Sequence, residues 1–261
     1  MLILNYSNLF FMLPNILVAV WLVFTRKGYY IMTLKFLGRD SGFGNEHTSA
    51  FFYTEGKDMV VIDCPVSTFQ KLRKKTLGVR NVYIFITHTH GDHIGGLGLF
   101  VQHVFFNLHQ TVTIVAPSSE VASDINTVLR IEGNEAEWYN LITVNDLPTQ
   151  NRWVFSIPTE HSPQLKGKCY GYVFTIYGKV VIYTGDTSTL KPFEPYFEIC
   201  DELYVDTSVH YGMIHLKLED ALEDFIRWTQ NGTKVFLMHL DDVDAAKKIV
   251  ADFNSINVVE L

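Results

Sequence analysis

Disulfide chemistry has little to work with in this chain. Its three cysteines, Cys64, Cys169 and Cys200, are far apart, odd in number and show no C-x-x-C pairing. A disulfide scaffold and a zinc ribbon are thereby excluded, and buried free thiols in a reducing compartment are the expectation. Positive charge is also scarce: 21 Lys and Arg face 28 Asp and Glu, a formal net charge of −7. That balance argues against long nucleic-acid duplexes as the main partner, since these select basic surfaces. A small phosphorylated substrate stays open, because bound metal would supply local positive charge. Charged residues make up 19% and hydrophobic ones 48% of the chain, and no Pro- or Ser-rich linker follows residue 31. One folded domain over residues 32–261, with little disorder, is expected.

A long uninterrupted membrane span is missing too. Leu9–Phe24 is apolar for 16 residues but contains Pro14 and Asn15, short of the roughly 20 that cross a bilayer comfortably. No Lys or Arg precedes it and no small-residue cleavage site follows, so a cleaved secretory signal is not expected. Arg26 and Lys27 come directly after it. If residues 9–24 insert, positive charge on the following side keeps the rest of the chain in the cytoplasm. The reading for residues 1–31 is therefore a hydrophobic extension or weak membrane anchor, with Met32 as an alternative start. Tyr29–Met32 is a candidate to join the first strand.

What is present is concentrated in Thr87–Gly96, THTHGDHIGG, which packs His88, His90, Asp92 and His93 into six residues. The preceding Val82–Ile86 is a short β-branched and aromatic run, the pattern of a buried strand. His88 and His90 are two apart, so at a fraying strand end they point the same way and can grip one ion together. Asp92 and His93 fall past Gly91 and can face a second ion. Imidazole and carboxylate suit zinc, and also iron or manganese.

HTHGDH resembles the H-x-H-x-D-H signature of the metallo-β-lactamase-fold hydrolases, over nearly everything from Met32 to Leu261. The resemblance implies three further ligands, in chain order a histidine, an aspartate and a histidine. His161 follows the apolar run Trp153–Ile157, Asp186 follows a strand-like run within VVIYTGDTST, and His239 ends the run Val235–Met238. All three stand at the C-terminal ends of apolar segments, where α/β layers gather functional loops. By resemblance His88, His90 and His161 bind one metal, Asp92, His93 and His239 the other, and Asp186 bridges them. The implied cofactors are two divalent ions, zinc first, with manganese or iron as alternatives. Thr87, Thr89 and Thr187 are adjacent hydroxyls that could orient ligands.

Around this motif the chain alternates strand-like and helix-like segments. Leu34–Leu37, Ser49–Tyr53, Met59–Ile62, Thr111–Val115, Leu141–Val144, Arg152–Ile157, Cys169–Tyr177, Lys179–Tyr183, Glu202–Val205 and Lys234–Met238 read as strands. Ser67–Thr76, Ile94–Phe106, Ser118–Ile131, Leu218–Thr229 and Asp242–Phe253 read as helices. Tyr177-Gly178 is a natural hairpin turn. Both halves run β-rich and then βα, which a four-layer αββα sandwich of the α/β (α+β) class accommodates.

Similarity is nearest the ribonuclease Z-like and phosphodiesterase branch, on FLGRDSGFGNEHTSAFF, IFITHTHGDHIGGL and YTGDT. The resemblance implies a dinuclear hydrolase that works through a metal-bridging hydroxide, a phosphodiesterase with Asp92 orienting the nucleophile or taking its proton. His215, in MIHLKLEDAL, lies where that branch keeps a histidine that contacts the phosphate; His210 is its rival. The alternative is an acyl hydrolase on the same metals, a glyoxalase II-like thioesterase or a lactonase, with no need for His215. His161 and Asp186 are 25 positions apart, too few for the tRNA-grasping arm of ribonuclease Z, so tRNA is not expected as a partner. Asp63-Cys64-Pro65 replaces the family's usual Gly after that Asp, and Leu216 follows His215 where a small hydroxyl residue is usual. His47, His103 and His109 read as structural or surface residues. A small phosphodiester or acyl substrate is the expected partner; a homodimer is left open.

Overall fold

The computed structural model describes residues 32–147 and 153–261. The chain divides into two units, Met1–Met32 and Thr33–Leu261. Leu9–Phe24, with the extension or anchor read into it, and Tyr29–Ile31 lie outside the described residues. Among the described residues no helix is long and apolar enough to cross a membrane.

Two six-stranded sheets build the second unit, with strand orders β1-β2-β3-β4-β5-β6 and β12-β11-β10-β9-β8-β7. The first holds β1 (Lys35–Gly38), β2 (Ser49–Tyr53), β3 (Met59–Ile62), β4 (Val82–Phe85), β5 (Val112–Ala116) and β6 (Tyr139–Thr143). The second holds β7 (Val154–Pro158), β8 (Tyr170–Ile176), β9 (Lys179–Tyr183), β10 (Glu202–Asp206), β11 (Lys234–Met238) and β12 (Ile256–Val258). Each sheet opens with antiparallel pairs and continues parallel, β3 to β6 in one and β9 to β12 in the other. The repeated β-rich then βα pattern is thus real in topology. The expected hairpin turn is present: Tyr177 and Gly178 both have positive φ, 52° and 79°, as a type I′ turn requires.

The sheets face each other across an aromatic layer. Phe85 of β4 sits 5.4 Å from Tyr172 and 5.6 Å from Phe174 of β8, edge to face, and Phe52 of β2 lies 5.9 Å from Phe174. Helices cover the outer faces. On the first sheet lie α1 (Phe69–Lys75), the single turn α2 (Gly91–Ile94), α3 (Leu97–Leu108) and α4 (Ser119–Ile131); on the second lie α5 (Leu218–Gln230) and α6 (Val243–Ile249). Layer order is αββα. Ser118 caps α4 by accepting the Val121 N–H at 3.3 Å, as its serine predicts.

One expected helix is broken. Ile94–Phe106 does not run through: the Gly95 N–H closes on Gly91 O and the Gly96 N–H is given to Cys64 O, both at 2.8 Å. A Cβ at Gly96 would stand 2.8 Å from Pro65 O, so only glycine lets the chain pass there. α3 then starts afresh at Leu97. The nine-residue 3-10 segment Lys191–Ile199, which holds Pro192 and Pro195, and the short strand β12 were not expected from the sequence. The three cysteines are buried and free, as expected.

Parallel strands end on the same side of a sheet, so β3, β4, β9, β10 and β11 bring their C-terminal residues to one edge. Asp63, His88, Asp186, Asp206 and His239 are at or within three residues of those ends.

Candidate metal centre

Two pockets of donor atoms meet at that edge. In the first, His90 Nδ1 lies 3.0 Å from His88 Nε2 and 3.3 Å from His161 Nε2. Asp186 Oδ2 is 3.7 and 3.5 Å from those two Nε2 atoms. In the second, Asp92 Oδ2 lies 3.4 Å from His93 Nε2 and 3.3 Å from His239 Nε2. Asp186 reaches this pocket as well, with Oδ1 3.3 Å from His93 Nε2. Ligand bonds of about 2 Å in a tetrahedron place donor atoms about 3.3 Å apart. The distances above lie around that value, with Asp186 between the pockets. His93 Nε2 is moreover buried with no hydrogen-bond partner, a state that costs free energy unless a ligand completes it. The residues fit two ions.

The hydrogen bonds behind the donors aim them. A neutral imidazole has one N–H and one lone pair, so fixing the N–H fixes the lone pair. His93 Nδ1 donates to Asp63 Oδ2 at 2.8 Å. His239 Nδ1 donates to Asp206 Oδ1 at 3.2 Å, and His161 Nδ1 donates to the Ile214 carbonyl at 2.9 Å. His88 Nδ1 meets Thr87 Oγ1 at 3.0 Å, and that hydroxyl donates to Asp63 Oδ2 at 2.8 Å. In each of the four, Nε2 is left as the lone pair facing the pocket; for His93 and His239 the partner is a carboxylate, which raises ligand basicity.

Charge is balanced tightly. Burial alone would raise the Asp186 carboxyl, but His239, His93 and His88 around it hold it well below its ordinary value. Asp92 behaves likewise, held low by His239 and His93. Burial would lower His239, yet Asp186, Asp206 and Asp92 push it up to about 10; Asp186 and Asp63 raise His93 well above its usual value in the same way. His88 goes down, from burial and then the neighbouring His93. These carboxylates demand positive charge, which protons or divalent cations can supply.

Local backbone explains the placements. Gly185 has φ 58°, and a Cβ there would stand 2.4 Å from Tyr170 O; only glycine fits before Asp186. His239 itself is left-handed, with φ 57°, held there by its N–H to Thr48 Oγ1 at 3.0 Å. Strain at a non-glycine residue of this kind clusters at functional sites.

His215 also joins the cluster. Its ring lies 5.0 Å from that of His161 and 5.1 Å from that of His239, and Nδ1 donates to Asp206 Oδ2 at 2.7 Å. His210 stays outside, exposed and 3.2 Å from Asp242. His103 packs on the Phe69 and Phe100 rings; neither it, His47 nor His109 takes part. Sequence reasoning missed Asp63 as a partner of His93 and Asp206 altogether. Both stand at strand ends, the same signal that singled out Asp186.

A family model described as Anti-Pycsar protein Apyc1 matches residues 32–259. The chain belongs to the Apyc1 family. The Apyc1 protein of Bacillus phage 010DV004 is 27% identical over 235 residues, which cover 82% of this chain and 90% of the phage protein. Ribonuclease Z of Listeria welshimeri is 35% identical over 109 residues, 39% of this chain. The chain spans about a third of the length of this enzyme and of the next ribonuclease Z that it matches. The metallo-β-lactamase fold protein YhfI from Bacillus subtilis superposes with a TM-score of 0.66 at 21% identity, over 86% of this chain and 94% of its own. The Apyc1-family domain here has the metallo-β-lactamase fold.

Proposed function

We propose that the chain is a dinuclear metal-dependent hydrolase that cleaves a small phosphodiester. His88, His90 and His161 would hold one ion and Asp92, His93 and His239 the other, with the Asp186 carboxylate between the two pockets. When bound, the two ions would supply Lewis acidity to a phosphoryl oxygen and lower the pKa of water, with zinc the expected occupant. Asp92, whose side chain is the most exposed of the three in the second pocket, would orient the attacking water.

The observation that carries the phosphodiesterase reading is His215. Its Nδ1 is committed to Asp206, which leaves Nε2 to meet a substrate oxygen beside the two pockets. An imidazole there serves a phosphodiester, whose phosphoryl oxygens need neutralising and whose departing oxygen needs a proton. An acyl hydrolase on the same pockets develops charge on a single carbonyl oxygen, which the ions would meet without it. The similarity to ribonuclease Z supports the same class, and the short span between His161 and Asp186 speaks for a small substrate rather than tRNA.

Hydrolysis of bis(p-nitrophenyl) phosphate, set against a thioester and lactone panel, tests the proposal. The expected result is turnover of the diester with close to two ions per chain, and a loss of about 10²-fold or more in His215→Ala. Full turnover in that variant, of this diester and of one with an alkyl leaving group that needs a proton, removes His215 from the reaction. Turnover of acyl substrates alone moves the chain to the alternative class.

A further inference from the structure

Among the described residues, the two most exposed large hydrophobic side chains are Phe43, fully open to solvent, and Met213, 94% exposed. Exposed apolar residues scattered singly need no explanation. Each is next in the chain to backbone that touches the same centre. Phe43 follows Gly42, whose backbone lies so close to Asp92 that a Cβ there would stand 2.9 Å from Oδ2. Met213 precedes Ile214, whose carbonyl takes the His161 Nδ1 proton at 2.9 Å, and His215 follows. Tyr211, 71% exposed, is on the same loop.

Both loops hang from the two residues after His239. Leu240 pairs with the first through its N–H to Arg39 O and its carbonyl from Ser41 N, each at 2.9 Å. The Asp241 carboxylate pins the second, accepting Ser208 Oγ at 2.6 Å, Val209 N at 2.7 Å and His210 N at 2.9 Å. The Phe43 turn is closed by Gly44 N–H to Ser41 O at 2.9 Å. The Asp40 carboxylate also takes the Asn45 and Glu46 N–H groups, each at 3.0 Å. Fixed backbone therefore holds the phenyl ring out in water, and little ordering remains when something covers it. Among the described residues, the donor groups of the centre itself are imidazoles and carboxylates.

We propose that Phe43 and Met213, with Tyr211, form an apolar rim that covers the ester substituent of the substrate and selects aryl or similarly flat groups over alkyl ones. This rests on the phosphodiesterase reading for the group held at the pockets. A flat substituent stacks on or edges against the phenyl ring, and the Met213 thioether makes a favourable contact with an aromatic edge; a methyl ester offers neither.

Two measurements on the full chain with metal test it, one by turnover and one without. The first compares kcat/KM for bis(p-nitrophenyl) phosphate and methyl p-nitrophenyl phosphate, which share a leaving group, in the wild type and in Phe43→Ser/Met213→Ala. The second compares equilibrium binding of diphenyl phosphate and dimethyl phosphate by calorimetry. The wild type is expected to favour the aryl ligand in both, and the double variant to lose that preference by about tenfold. Both substitutions are on exposed side chains, and equal melting temperatures confirm that the variant is folded. An aryl preference that survives in the variant overturns the rim, as does a wild type with no preference or no binding. A variant that changes the sedimentation of the chain while keeping its ligand preference makes the patch a contact between copies, which also overturns it. Aryl-selective binding lost in the variant, with no diester turned over by the wild type, upholds the rim and refutes the phosphodiesterase reading instead.

Discussion

Asp206→Asn separates a carboxylate that holds two imidazoles in place from one that fills space. Oδ1 accepts His239 Nδ1–H at 3.2 Å, while Oδ2 accepts His215 Nδ1–H at 2.7 Å and the Thr187 N–H at 2.9 Å. Asparagine keeps the shape and one acceptor but puts an NH2 group where one oxygen stood. The remaining oxygen serves best where two donors already converge, on the His215 and Thr187 side. His239 then faces a donor and must change tautomer or turn away, which takes the Nε2 lone pair from the second pocket. Losing an outer partner of this kind weakens metal binding or activity by about 10- to 100-fold, or about 1.4–2.7 kcal/mol. Competition with a chromophoric zinc chelator reads the two sites separately. The second site, made by Asp92, His93 and His239, is expected to weaken by that factor. The first site, whose histidines do not touch Asp206, is expected to stay within about threefold. Equal weakening of both sites, or none, refutes the reasoning. Far-UV circular dichroism of the metal-free variant guards against a simple folding defect.

Gly185→Ala forces a side chain into a left-handed position and against Tyr170 O; a stability loss of about 2 kcal/mol or more is expected in urea unfolding, together with loss of metal. Phe85→Ala empties the middle of the aromatic layer, where the ring is fully buried, and should cost about 3–5 kcal/mol by the same measurement. Glu202, buried under Thr33, Lys179 and Tyr204, would be raised by burial, but the Lys179 and Tyr204 hydrogen bonds hold its carboxyl below the ordinary value. Its contribution is present above the unfolded value near 4.3 and is lost as pH falls through the lower folded one. Glu202→Gln should therefore be less stable than the wild type by about 2 kcal/mol at pH 7, the Lys179 side being half open, with the gap closing below about pH 4. A gap that is flat with pH assigns the loss to packing.

How far the site could be read from the chain depended on whether its parts are contiguous. His88, His90, Asp92 and His93 share one loop, so their spacing is visible without any knowledge of the fold. His161, Asp186 and His239 are scattered, and the strand-end rule found them only behind the family resemblance. Asp63 and Asp206 obey the same rule but face inward, to histidines 30 and 33 residues further along; a lone strand-end aspartate is more often a cap than a partner. The break before α3 was illegible for a similar reason, because the carbonyls that stop it belong to Cys64 and Pro65 rather than to the helix itself. Most strands and helices, by contrast, were legible from alternation, since period-2 and period-3.6 patterns are local; the four-layer arrangement came with the family resemblance, which that alternation accommodates.

Asp63 follows β3, the last antiparallel partner in the first sheet, and Asp186 follows β9, its counterpart in the second. One stands behind His93, while the other lies between the two pockets. His88 follows β4 and Asp206 ends β10, again at matching places. A duplicated topology thus delivers a polar residue from corresponding strand ends to one seam. At a seam this buried, each such residue must either face the pockets or serve a neighbour that does, because an unpaired one is too costly to keep. Strand-end carboxylates on a motif-bearing edge are for that reason better read as partners of the ligands than as caps, even where no spacing in the chain connects them.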